Sequence, residues 1–274
     1  MSPVDDEEIL QVERGDYFHP STNKDVIRLQ MQHFLFRYIW EGNFSSPIHD
    51  KFIDGGVKVL GINVINVYFR CGSGIFITDL AMEYPTSTFI GIDDDEARAR
   101  IQIELPNAEF IHHNDMLEGL PFPDDTFDLV SQRFFTTVSI NKWEMFILPE
   151  IIREMPTWTN MGPVTKEIVK SFDDYLETIN VHHTDPLLLE KILKHSELVK
   201  NVNCCSKTTH LWKGMIGQLL FRNQIQKIAS HKSGLCGYLK IGEMQFDSML
   251  ETMQGEIVKY KSSLTTYRIY GEKI

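Results

Sequence analysis

CGSGIFITDLA (residues 71–81) followed by FIGID (residues 89–93) decides the predicted fold of this 274-residue chain. Gly72 and Gly74 lack a Cβ atom, so the backbone can turn sharply there and a ligand can approach it closely. The apolar residues that follow predict a helix, and the second stretch predicts a strand that ends at Asp93. A glycine loop, a helix and a strand in this order indicate an open parallel sheet, in which ligands bind beyond the carboxyl ends of the strands.

The end of the second strand carries a candidate ligand-binding carboxylate. Asp93 follows the glycine loop by about 20 residues, the spacing at which a carboxylate can accept hydrogen bonds from a ribose. The helix after the loop would offer unpaired backbone N–H groups at its start. The stretch therefore predicts a cofactor site, and the alternative is a tight turn between strand and helix that holds no ligand.

Composition limits the class of protein. Hydrophobic residues make up 42% and charged residues 24%, which predicts a large buried core. The net charge of −11 argues against broad binding to nucleic acid or to an anionic membrane. Cys71, Cys204, Cys205 and Cys236 form no CxxC pair, so we expect reduced thiols and a cytoplasmic or nuclear location. With no apolar run long enough to span a bilayer and an acidic start at residues 1–10, we expect a soluble protein.

We divide the chain into an acidic, disordered arm over residues 1–23 and one domain over residues 24–274. Periodicity predicts helices at residues 24–40, 46–53, 75–84, 141–154, 163–179, 187–198, 215–228 and 244–260. Strands are predicted at residues 57–60, 88–92, 109–111, 127–130 and 264–270. The histidines occur as adjacent pairs, without the helical spacing or the additional ligands of a metal site, so no metal is predicted.

Six motifs, in this order, carry a resemblance to a known family: Arg28-Leu29-Gln30-Met31-Gln32-His33, Ser46-Pro47-Ile48, Cys71-Gly72-Ser73-Gly74, Glu83-Tyr84-Pro85, Gly91-Ile92-Asp93 and Leu120-Pro121-Phe122-Pro123-Asp124. Together they resemble fungal class I S-adenosylmethionine-dependent methyltransferases, in the family that includes regulators of secondary metabolism. The resemblance covers nearly everything after the acidic arm. It implies a doubly wound α/β fold with a mostly parallel, Rossmann-like sheet, a helical N-terminal cover and helical C-terminal insertions.

The resemblance also implies a cofactor, S-adenosyl-L-methionine, and residues that hold it. The implied cofactor-binding residues are Cys71, Gly72, Ser73, Gly74, Asp93, Asn114 and Asp115. The glycine loop would wrap the methionine part, Asp93 would hold the ribose hydroxyls, and Asn114 or Asp115 would contact the adenine. The chemistry suits these roles, because side-chain oxygens accept hydrogen bonds from hydroxyls and from the exocyclic amine. No catalytic base is assigned.

The chain departs from the family's pattern in two places. Gly61 stands where the family has an acidic residue, and Arg70 stands where it has a further glycine. Residues 155–162 show no strand pattern, so we predict that the fifth strand is missing and that the strand at 127–130 lacks its usual parallel neighbour. The terminal strand at 264–270 should then pair with it directly or stand apart.

Three functions are weighed on these observations. The leading one is methyl transfer from S-adenosylmethionine to an unidentified small molecule or protein. The first alternative is a degenerate, non-catalytic interaction protein with the same fold, which Arg70 and the missing strand favour and Gly72, Gly74 and Asp93 oppose. The second alternative is an NAD-type dinucleotide binder, which shares the combination of loop and acid. The turn at residues 120–124 before a strand favours methyl transfer.

Overall fold

The computed structural model describes residues 23–63, 74–93, 105–113, 120–133, 150–179 and 186–274. The helices are α1 Asn23–Trp40, α2 His49–Asp54, α3 Ile75–Glu83, α4 Pro163–Thr178, α5 Pro186–His195, α6 Gly214–Ala229, α7 Lys232–Leu239 and α8 Glu243–Tyr260. The strands are β1 Lys58–Asn63, β2 Thr88–Asp93, β3 Ala108–His112, β4 Leu129–Arg133, β5 Glu150–Thr159, β6 Val199–His210 and β7 Ser263–Lys273. The predicted acidic arm, residues 1–23, lies outside this part of the chain except for Asn23, which begins α1.

Within the described residues, seven strands form one sheet in the order β3-β2-β1-β4-β5-β7-β6. Strands β1 to β5 run parallel to one another. β7 lies between β5 and β6 and runs antiparallel to both. The order reverses at β1, because β2 and β4 lie on its two sides. The prediction of a doubly wound, mostly parallel α/β sheet is therefore confirmed.

The predicted loss of the fifth strand is wrong. β5 begins at Glu150, and its first three residues pair in parallel with β4, ending with the pair Arg133 and Ile152. Its other edge pairs antiparallel with β7, so the terminal strand contacts β5 and β6 and not β4. The sequence predicts a helix over residues 150–154 because Ile151 and Ile152 continue the helical spacing of the apolar residues before them, but the same pair also suits a strand. Residues 141–149 of that predicted helix lie outside the described ranges.

β6 is a strand that the sequence did not predict. It forms one edge of the sheet, and its residues alternate largely between exposed and half-buried positions. Polar residues such as Lys200, Asn201 and Asn203 have low strand propensity, yet an edge strand can direct them to solvent. The predicted helical C-terminal insertions are therefore helices interrupted by β6, and α5 ends at His195 instead of at residue 198.

Both faces of the sheet are buried, which is why its central strands are apolar. Side chains alternate along β1, so Leu60 and Ile62 lie on one face and Val59 on the other. Leu60 and Ile62 join a buried cluster that includes α5, and Val59 joins a cluster that includes α2 and α3. The C-terminal helices α4, α6, α7 and α8 form a third cluster. In the ranges described, no helix is both long enough and apolar enough to cross a membrane.

Candidate cofactor site

Four neighbouring parallel strands end in polar residues at the same edge of the sheet. Asp93 of β2 is in register with His112 of β3, and Asn63 of β1 is in register with Arg133 of β4. The last pair between β1 and β2 is Ile62 with Ile92, so Asn63 and Asp93, which follow them, are also adjacent. The row lies where the strand order reverses, which is where open α/β sheets bind their ligands.

Gly74 begins α3 beside this row and has the backbone conformation that the glycine loop predicts. Its φ is 66°, in the left-handed region, where a side chain would be strained. Its carbonyl accepts hydrogen bonds from both the N–H and the Oγ1 of Thr78, each at 3.0 Å. No side chain caps the N-terminus of α3 among the described residues. The first turn of α3 therefore offers backbone N–H groups to an anionic or polar ligand.

The structure describes two of the predicted cofactor residues and brings them to the same edge. Gly74 lies at the start of α3, and Asp93 ends β2, the strand that follows α3 in the chain. The other five, which are Cys71, Gly72, Ser73, Asn114 and Asp115, fall outside the described residues, as does Arg70. Their roles stay predictions.

Packing explains why a glycine stands at position 61, where the resembled family has an acidic residue. It is buried in β1, and a Cβ atom built on it would lie 2.6 Å from Cδ1 of Ile77 in α3. α3 thus lies too close to β1 to leave room for a carboxylate side chain unless Ile77 moves. The glycine at position 61 therefore allows α3 to pack closely against β1.

A buried carboxylate that the sequence analysis left without a role lies on α3. Asp79 accepts hydrogen bonds from Nε2 of His33 at 2.9 Å, from Nδ2 of Asn43 at 2.9 Å, and from the guanidinium of Arg37. We call these four residues the Asp79 cluster. His33 belongs to the first of the six motifs and Asp79 to the stretch at residues 71–81, and nothing in the sequence indicates that the two meet.

The electrostatics of the Asp79 cluster fix its protonation state. Burial favours the neutral acid, but the hydrogen bonds from His33 and Asn43 and the charge of Arg37 outweigh it and lower the pKa of Asp79 to about 2. Asp79 is therefore ionised at neutral pH and can only accept, so Nε2 of His33 must carry the proton that it donates. Arg37 also donates to Oε2 of Glu83 at 2.8 Å, which extends the cluster to the end of α3.

Two other side chains of chemical interest in the described ranges, those of Tyr84 and Cys204, are held in their protonated forms. Burial and the neighbouring Glu83 raise the pKa of Tyr84 to about 12, which keeps its hydroxyl protonated. Burial and Glu190 raise the pKa of Cys204 to about 11, so its thiol is not a nucleophile at neutral pH. The described residues contain no group of three or more histidine, cysteine, aspartate or glutamate side chains placed to hold a metal ion.

Comparison with protein families gives one match at this site. Residues 69–148 match the family model described as the methyltransferase domain. That range contains the glycine loop, β2, β3 and β4, and with them all seven predicted cofactor residues. A search of curated proteins gave no match. The strand order, the turn at Gly74 and the matched domain define a Rossmann-like methyltransferase fold.

Solved structures with similar folds include three methyltransferases. A putative methyltransferase from an antibiotic biosynthesis pathway of Anabaena variabilis is 13% identical, with a TM-score of 0.44, over 82% of this chain and 96% of that one. A putative sarcosine dimethylglycine methyltransferase from Galdieria sulphuraria is 12% identical, with a TM-score of 0.45, over 88% and 97%. Phosphoethanolamine N-methyltransferase 2 of Haemonchus contortus, solved with phosphomonomethylethanolamine and S-adenosylhomocysteine, is 13% identical, with a TM-score of 0.44, over 89% and 57%.

Proposed function

We propose that this protein is an S-adenosylmethionine-dependent methyltransferase whose acceptor is a small molecule or a protein. One observation carries the proposal: the left-handed turn at Gly74 and the end of β2 at Asp93 lie at one edge of the sheet, at its topological switch point. The match of residues 69–148 to the methyltransferase domain supports it, because both residues fall inside that range.

The residues of the site fit the proposed cofactor. The conformation of Gly74 and the uncapped start of α3 suit a ligand held close to the backbone, and residues 71–74 would wrap its methionine part. Asp93 would accept hydrogen bonds from both ribose hydroxyls, and Asn114 or Asp115 would contact the adenine. Bound S-adenosylmethionine supplies a methyl group on a sulfonium, which is already a good leaving group. The protein's contribution is therefore mainly to position the acceptor.

Two alternatives are less well supported. The degenerate interaction protein was favoured by Arg70 and by a missing strand, and the presence of β5 removes the second of these arguments. The NAD-type binder conflicts with the sheet, because the standard dinucleotide fold has the strand order 3-2-1-4-5-6 without an antiparallel strand after the fifth. Methyl transfer agrees with both the topology and the matched domain.

Calorimetric titration of the Asp93→Ala variant tests the proposal. Loss of the hydrogen bonds from two hydroxyls to one carboxylate should weaken binding of S-adenosylhomocysteine by about 10- to 100-fold. Asp125→Ala is the matched control, because Asp125 is exposed on a turn and pairs only with Lys273 among the contacts described. Unchanged affinity in a folded Asp93→Ala variant would remove Asp93 from the site.

A further inference from the structure

The Asp79 cluster is connected to the turn at Gly74 through the first turn and a half of α3. The N–H and the Oγ1 of Thr78 both donate hydrogen bonds to the carbonyl of Gly74, and Asp79 is the next residue in the helix. The ring of His33 lies edge-on to the ring of Phe76, with 6.3 Å between the ring centroids. α1 therefore contacts the beginning of α3 through the same side chain that binds Asp79.

The contact is buried, and both carboxylate oxygens of Asp79 accept hydrogen bonds. His33 is 1% exposed and Asp79 is 6% exposed, so water cannot replace a hydrogen bond that is lost between them. Oδ2 of Asp79 accepts from both His33 and Asn43, and Oδ1 accepts from Arg37. The donors come from α1 and from the turn after it, so α3 cannot shift against α1 without leaving a buried charge poorly paired.

We infer that Asp79 is a positioning residue of the cofactor site. By accepting from His33, Arg37 and Asn43, it holds α1 against α3 and so fixes the first turn of α3 and the turn at Gly74. The consequence for cofactor binding rests on the proposed function, whereas the mechanical link between α1 and α3 does not. A cofactor that approaches the backbone at Gly74 depends on the position of that turn to within a fraction of an ångström.

A variant pair at His33 separates positioning from simple stabilisation. His33→Gln keeps an N–H donor near the place of Nε2, whereas His33→Leu keeps the bulk and removes the donor. We expect His33→Leu to weaken S-adenosylhomocysteine binding about tenfold, the loss that accompanies one charge-assisted hydrogen bond, and His33→Gln to stay within about threefold of the natural chain. Arg37→Met removes a half-exposed donor to the same carboxylate and serves as the second variant if His33→Leu does not fold.

Glu256→Gln provides a control that destabilises the protein elsewhere. Glu256 of α8 accepts hydrogen bonds from the N–H groups of Val164 and Thr165, at 3.2 and 2.7 Å, and so caps α4, whose own N-cap residue, Gly162, has no side chain. The substitution should lower the unfolding temperature and leave the affinity for S-adenosylhomocysteine unchanged. Equal losses of affinity in His33→Leu and Glu256→Gln would show that affinity follows stability alone, which would overturn the inference.

Hydrogen exchange distinguishes failure of this inference from failure of the proposed function. In His33→Leu or Arg37→Met, the amide of Thr78, which is hydrogen-bonded to the carbonyl of Gly74, and the helical amides of Asp79 and Leu80 should exchange faster than in the natural chain, while Glu256→Gln should leave them unchanged. If the natural chain binds neither S-adenosylmethionine nor S-adenosylhomocysteine, the proposed function is wrong, and the exchange rates still decide whether α1 fixes α3. Unchanged exchange at these amides, or unchanged affinity in a folded His33→Leu variant, would overturn the positioning role.

Discussion

At the scale of single residues, Arg70 bears on cofactor binding because it replaces a glycine of the resembled motif next to Cys71. The guanidinium of Arg70 and the sulfonium of S-adenosylmethionine are both positive. Two unit charges about 4 Å apart repel by about 4 kcal/mol at an effective dielectric constant of 20. A side chain turned toward solvent would reduce this repulsion to almost nothing. We therefore predict that Arg70, and not the glycine pair, limits binding of a sulfonium cofactor in the natural chain.

The substitution Arg70→Gly should strengthen binding of S-adenosylmethionine, for which we expect weak or undetectable affinity in the natural chain. S-adenosylhomocysteine carries a neutral sulfur, so its affinity should change much less. Paired calorimetry on the two proteins with both compounds measures the difference. Low-micromolar binding of S-adenosylmethionine to the natural chain, with no improvement in Arg70→Gly, would show that the arginine does not limit activity.

Residue types in the site could be predicted, but their partners could not. The backbone freedom of Gly74 and the position of Asp93 at a strand end follow from local sequence, and the structure places both as expected. The hydrogen bond between His33 and Asp79 joins residues 46 positions apart. A polar residue within an apolar helix gives no indication of which distant donor it meets, because that depends on how the helices pack.

At the scale of elements, the close contact of α7 with α4 depends on a glycine. A Cβ atom on Gly234 would lie 1.9 Å from Oη of Tyr175 and 2.3 Å from Cζ, so the whole ring would have to move. At Gly237, in the same helix, no atom lies within 4 Å of the Cβ position apart from the chain neighbours and the nearby backbone of the helix itself. The two glycines therefore form a matched pair with opposite expectations.

Gly234→Ala should destabilise the protein by about 1–3 kcal/mol because it overpacks the interface of α4 and α7. Gly237→Ala should stabilise it by up to about 1 kcal/mol, the gain in helix propensity. Urea unfolding of the two variants and the natural chain gives both free energies of unfolding. Equal effects of the two substitutions would contradict the packing of α7 on α4.

Local sequence predicted most elements and missed those defined by their neighbours. Helices α1, α4, α6 and α8 are long and rich in apolar residues at three- and four-residue steps, and β1 and β2 are short apolar runs bounded by turn residues, so these elements could be predicted directly. β5 carries a short apolar segment that suits helix or strand, and only its place between β4 and β7 decides. β6 is polar because it forms an edge, and an edge strand needs apolar residues only where other elements cover it.

At the scale of the whole molecule, the free energy of unfolding depends on pH through two aspartates, and their contributions change with pH in opposite directions. The pKa of Asp79 is lowered from 3.8 to about 2, so its stabilising contribution is complete above pH 3.8 and is lost as the pH falls toward 2. Burial raises the pKa of Asp173 in α4 from 3.8 to about 6, against the nearby charge of Lys227. The folded state then holds the proton of Asp173 to a higher pH than the unfolded state does.

The free energy of unfolding should therefore contain a term that falls as the pH rises from 3.8 to 6, and Asp173→Asn should remove it. The comparison is the slope of the unfolding free energy against pH for the natural chain and the variant. The slope reports only the contribution of proton binding to the unfolding free energy. The cost of placing an amide beside Lys227 does not depend on pH and so does not change the slope. Identical slopes over this interval would show that Asp173 does not carry the proton.

The central claim, that this fold holds S-adenosylmethionine for methyl transfer, is tested most directly by calorimetric titration of the natural chain with S-adenosylhomocysteine and with NAD. S-adenosylhomocysteine, the product left by S-adenosylmethionine after methyl transfer, is the sharper probe, because its neutral sulfur is not repelled by the charge of Arg70. We predict saturable binding of S-adenosylhomocysteine at one site per chain, weakened about 10- to 100-fold in Asp93→Ala, and no binding of NAD. Binding of NAD in its place, or binding of neither compound, would contradict the account.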